Sequence, residues 1–191
     1  MGKSVIRSAQ AVGEDAMPED SESAPAAPEL PGVDWAAPPA EMVRNAHVAQ
    51  VMWGAAVLDN LLVTLLTHSL PNLSRRLRER LFEGYGPLGN FAPRLDMAFA
   101  MGIIGEKLRE DMVHIKDLRN VMAHSPSRAD LNDPAVRSIL SRLRGYTPEK
   151  DPLRFFFDRV QDCLRGLWEL IDKLANEKGI KIEPPAWPPG R

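Results

Sequence analysis

The stretch VMWGAAVLDNLLVTLL, residues Val51–Leu66, is apolar on nearly every side of the helix it would form. From Glu41 onward the chain holds no glycine or proline except Gly54 until Leu70-Pro71 stops it, so one long helix is expected between these limits. A helix that is greasy all round is buried in the middle of a bundle or lies at a subunit interface. Its reading therefore predicts a central helix in an all-α fold, and a homodimer. Asp59, Asn60, Thr64 and His68 interrupt the apolar run, which argues against a bilayer span, and no membrane partner is expected.

Outward from this helix, Asn72 to Phe82 reads as a short helix carrying Arg75, Arg76, Arg78 and Arg80. Glu83-Gly84-Tyr85-Gly86-Pro87-Leu88-Gly89 follows as a shaped loop, because three glycines and a proline cannot sit inside a regular element. A third helix is expected from about Pro93 to Met101 with Gly102 as its cap, and a fourth from Gly105 to His124, ended by Ser125-Pro126. Asp133-Pro134 and Asp151-Pro152 each place an N-cap before a proline, starting a fifth helix that reaches Arg144 and a sixth that closes near Gly179. No segment alternates apolar and polar residues as a half-buried strand would. The expectation is a bundle of about six helices over residues 41–179.

The two ends read differently. Six of the 17 prolines lie in residues 1–40 and four in the last eight residues, so disordered tails are expected at 1–40 and 180–191. In the first of them Lys3 and Arg7 face seven acidic residues, giving −5. The formal −2 of the whole chain then leaves +3 for residues 41–191, too little to argue for nucleic-acid binding by charge alone. A single cysteine, Cys163, rules out an internal disulfide and fits a reducing compartment. With no signal-peptide pattern, a cytoplasmic protein is expected.

The chemistry-bearing residues gather on the fourth helix. At about 100° per residue Leu108, Met112, Ile115, Leu118 and Met122 form one stripe, and Arg119 falls within it. An arginine there should face a carboxylate, carbonyls, a phosphate or a partner subunit. Asn120 and His124, four apart, stack beside the stripe with Lys116 and Asp117 a turn earlier. This separation predicts a motif that straddles an interface between subunits. The group could cleave a phosphodiester without a metal, with His124 as acid or base and Arg119 stabilising the phosphate. It could equally cap helix carbonyls and complement the dipole.

Three blocks occur together in order: Leu81-Phe82-Glu83-Gly84-Tyr85-Gly86-Pro87-Leu88; Phe91 through Arg94-Leu95-Asp96-Met97-Ala98-Phe99-Ala100-Met101-Gly102; and Ile115 to Arg119-Asn120 with Ala123-His124-Ser125. Their order and spacing resemble the mannitol operon repressor family, more weakly across residues 41–175. The resemblance implies an all-helical, dimeric regulator of sugar-alcohol operons with a fold similar to the wider HEPN class. Many members of that class with an Arg-Asn-x-x-x-His motif are metal-independent ribonucleases, and Arg119, Asn120 and His124 occupy those positions here. Two functions are thus open, beside a third, a nucleotide- or phosphate-binding sensor that uses the same cleft without cleavage. One is a transcriptional regulator acting through a transcription factor, another protein or nucleic acid; the other is a toxin-like endoribonuclease acting on RNA. Arg94 and Asp96 are candidate polar anchors beside the site, Glu83 and Tyr85 candidate lining residues of the loop, and Lys116 a further binding candidate. No cofactor is expected. His47, His68, His114 and His124 lack metal-ligand spacing, so no metal is expected either. Gly84-x-Gly86-x-x-Gly89 follows a helix where a dinucleotide loop would require a strand.

Overall fold

A computed structural model describes residues 40–124 and 130–182, which form six α-helices and no strand. In order they are α1 (Ala40–Ser69), α2 (Arg75–Phe82), α3 (Phe91–Ala100), α4 (Glu106–His124), α5 (Pro134–Leu140) and α6 (Pro152–Lys178). The expected tails at 1–40 and 180–191 lie almost wholly outside the described residues.

As its sequence predicts, α1 is central. It packs along α6 and against α4 and α3, while α4 also meets α3, α5 and α6. Leu58, Leu62 and Leu66 are wholly buried, and each such side chain contributes about 1.5–3 kcal/mol on leaving water. By length and composition alone, Glu41–Ser69 could cross a membrane. In the fold its two flanks divide: Val51, Leu58, Leu62 and Leu65 enter the core, while Ala49, Ala56 and Asn60 stay exposed.

Local signals set most helix ends. Ser74 accepts a hydrogen bond from the Leu77 amide, so α2 begins at Arg75 and not at Asn72 as expected. Asp133 accepts from Ala135 and Asp151 from Arg154, each just ahead of a first-turn proline. Gly179 adopts φ 62° at the end of α6, a left-handed cap that glycine takes without steric cost. The fifth helix departs from its expected length, stopping at Leu140 and not Arg144. Arg144 is drawn away by Asp111 of α4, whose carboxylate accepts from both its backbone amide and its Nε. The turn that follows is pinned to α6 by Tyr146, which meets Phe155 edge-on at 5.4 Å.

One polar pair ties α1 to the segment ahead of α5. His47, buried, lies with its Nδ1 3.0 Å from the Asp130 carboxylate. Partial burial pushes the Asp130 carboxyl up, but hydrogen bonds from the Asn132 amide and His47 outweigh it, and the net result lies below the usual carboxylate value. A depressed folded-state pKa contributes stability that is present above the unfolded value of 3.8 and is lost as pH falls through the folded one. Urea unfolding between pH 6 and about pH 3 should therefore show a loss of stability at the acid end that is smaller in Asp130→Asn. Equal acid slopes for the two proteins would exclude this pair as a source.

Candidate polar cleft between α1, α3 and α4

The glycine loop owes its shape to backbone contact. A Cβ on Gly86 would meet the carbonyl oxygens of Arg80 and Leu81 at 2.5 Å, and one on Gly89 the Gly84 oxygen at 2.8 Å. The loop closes through the Gly86 amide donating to Glu83 O, Leu88 to Leu81 O and Gly89 to Gly86 O. Beneath it lies the guanidinium of Arg94. Its Nε donates to Leu88 O at 2.7 Å, its Nη2 to Gly89 O at 3.0 Å and Phe82 O at 3.3 Å, and its Nη1 to Asp59 Oδ2 at 2.7 Å. A buried arginine needs acceptors in several directions, and these four supply them. Arg94 thus holds the loop to α1.

Above this anchor a cleft of about 390 Å³ opens between three walls. Met52, Ala55, Ala56 and Asp59 come from α1, Gly89 to Ala92 from the loop end and the first turn of α3, and Lys116, Arg119 and Asn120 from α4. Two features make it polar. Asp59 Oδ1 is buried without a hydrogen-bond partner, and Asn90, at the N-cap of α3, makes no side-chain cap bond.

The other sequence candidates separate. Arg119 is exposed and not buried with the stripe as expected, although it lies only about 20° round the helix from Leu108 and Met112. The α4 face opens there into the cleft, which Arg119 lines, and the Arg119 Nη1 donates to Asn120 Oδ1 at 3.0 Å. His124 is exposed in the last turn and does not line the cleft that Arg119 and Asn120 share. Lys116 lines it with its Nζ 2.8 Å from Asp117. Glu83 and Tyr85 are exposed on the loop and lie outside the cleft wall. Asp96 is exposed and pairs with Arg109 at 2.8 Å, whose guanidinium stacks over Phe99 at 5.0 Å. Among the described residues no group of three His, Cys, Asp or Glu could hold a metal.

Two polar positions escaped sequence reading. Asp59 reads as an interruption of an apolar helix, although a lone carboxylate there also asks for a buried cation. Asp111 falls on the Leu108–Met112–Ile115 face of α4, and that placement was the available signal. It is wholly buried, with Arg144 Nη2 at 2.6 Å and Arg159 Nη1 at 3.6 Å.

The fold and cleft together describe a helical domain with a small polar recess beside a glycine loop. Residues 76–159 match the profile of the family described as "Mannitol repressor". That segment contains the loop, Arg94 and the α3 and α4 walls, while the α1 wall precedes it. No curated protein matches the chain. Among solved structures it is similar to the X-ray structure of the MtlR-HPr complex from Escherichia coli, at 17% identity and a TM-score of 0.45, covering 70% of this chain and 99% of that one.

Proposed function

We propose that this chain is a mannitol-repressor-like regulator: a cytoplasmic, dimeric helical bundle of HEPN-like type that works through a protein partner and not by chemistry of its own. The observation that carries this reading is the family match over residues 76–159, which takes in the loop, its Arg94 anchor and most of the cleft. The side chains favour it over the ribonuclease alternative. Acid–base cleavage of RNA needs a histidine within reach of the phosphate clamp, and His124 stands outside the cleft lined by Arg119 and Asn120. The alternative would require His124 of a second copy to complete the site. Dimerisation is favoured by the incompletely covered flank of α1, where Met52 and Val63 remain half-buried beside exposed Ala49, Ala56 and Asn60.

Two measurements on the full chain test the reading together. Incubated with mixed RNAs in EDTA, wild type and His124→Ala should be equally inactive, and titration calorimetry against HPr should give saturable binding. RNA cleavage by wild type that His124→Ala abolishes would replace the regulator with the nuclease.

A further inference from the structure

α2 stands apart from the bundle's main packing, and its surface has an unusual pattern. Arg75, Arg76, Arg78 and Arg80 are all exposed along its eight residues, against one acidic residue, Glu79. Glu79 is taken by Arg75 at 3.1 Å. Arg76, Arg78 and Arg80 have no carboxylate partner among the described residues. Between them runs an apolar line: a groove of about 170 Å³ lined by Leu70, Pro71, Asn72, Leu73, Leu77 and Leu81, with Leu77 38% exposed. At the helical repeat Arg78 lies on one side of Leu77, and Arg76 and Arg80 lie on the other.

We propose that this groove is a docking site for an acidic amphipathic protein segment, which seats an apolar side chain between carboxylates that meet the arginines. The inference deepens the regulator reading by naming the surface and chemistry through which a protein partner would be held. Charge complementarity selects an anionic partner, and the groove selects among anions. A nucleic acid brings phosphates that the arginines would accept, but no apolar side chain for the recess beside Leu77. An anionic membrane takes up apolar side chains that project, whereas here Leu81 is half-buried and Leu77 borders a concavity, so the surface receives and does not insert. An acidic helix with leucines at three- and four-residue spacing meets both requirements. Free arginine forks also favour carboxylates geometrically, because each can take one through two parallel hydrogen bonds.

The test uses the full chain and defined probes followed by fluorescence anisotropy. The probes are a synthetic glutamate-rich helical peptide with leucines at i, i+3, i+4 and i+7, the same peptide with those leucines changed to serine, a DNA duplex, an RNA strand, and phosphatidylserine vesicles. The expected result is binding of the leucine peptide about tenfold or more tighter than every other probe, weakened about tenfold by raised salt or by Arg76→Glu/Arg78→Glu/Arg80→Glu. Leu77→Ser should weaken the leucine peptide several-fold and leave binding of the serine peptide unchanged. Circular dichroism should show these variants folded; where the triple variant is not, the single changes Arg76→Gln, Arg78→Gln and Arg80→Gln carry the test. The proposal is overturned if the leucine peptide does not bind, if the serine peptide, nucleic acid or vesicles bind as tightly, or if the arginine changes have no effect. Such a failure leaves the RNA and HPr results standing, so it is separable from failure of the regulator reading.

Discussion

Replacing Arg94 by alanine is expected to cost about 3–5 kcal/mol of unfolding free energy, a large part of the stability a domain of this size holds. The size follows from what the side chain leaves behind. Asp59 would keep a carboxylate with Oδ1 already unpartnered and Oδ2 newly so, while Phe82, Leu88 and Gly89 would each lose a donor to their carbonyls. Removing one member of a buried pair costs more than the pair is worth, because the remaining charge stays desolvated. Lysine should recover less than half of the loss, since one ammonium cannot serve acceptors spread around a planar fork. Urea unfolding of wild type, Arg94→Ala and Arg94→Lys measures both differences. A loss below about 1 kcal/mol for alanine would mean that the loop carbonyls find water instead, and that the anchor is dispensable. The same substitution should loosen the Gly89–Ala92 wall of the cleft, because Arg94 ties that end of the loop to α1.

The helices were legible because their signals are local. An aspartate before proline caps its own helix within three residues, as Asp133 and Asp151 do, and Gly179 ends α6 by its own backbone freedom. The stripe on α4 was legible for the same reason, with Met112, Ile115, Leu118 and Met122 all buried. Periodicity names a face but not what covers it. Arg119 shares that face by angle, yet it borders the cleft while Met122 beyond it is buried, and nothing within α4 records where its neighbours part. The polar pairs are still further from local view. Asp59 meets Arg94 across 35 positions, Asp111 meets Arg144 across 33, and His47 meets Asp130 across 83. Each was visible as a polar residue in apolar company, without its partner. The early end of α5 has this origin too, because a carboxylate on another helix competes for the Arg144 amide.

Asp111 should be the second position of high cost. Its carboxylate is wholly buried and joins three elements: α4, which carries it, the turn after α5 through the Arg144 amide and guanidinium, and α6 through Arg159. The Arg144 hydrogen bonds in turn hold that guanidinium's pKa above its ordinary value. Asp111→Ala is expected to destabilise by about 3 kcal/mol, less than Arg94→Ala because Arg144 is partly exposed and can turn to water. Asp111→Asn, which keeps the shape and one acceptor, should fall between wild type and alanine. The nearby thiol supplies an independent readout. Cys163 is pushed up to about 12, first by burial and then by the Asp111 carboxylate, with Arg159 and Arg144 opposing. Removing the negative charge should lower that value, yet burial remains, so the thiol should stay slow towards a disulfide reagent at pH 8 in folded Asp111→Asn. Reaction should then track unfolding and not thiolate formation in the native protein. Fast labelling of folded Asp111→Asn at low urea would show that the carboxylate, and not burial, keeps Cys163 inert. A free-energy loss below about 1 kcal/mol for Asp111→Ala would show that α4, the turn and α6 are held by their apolar contacts alone.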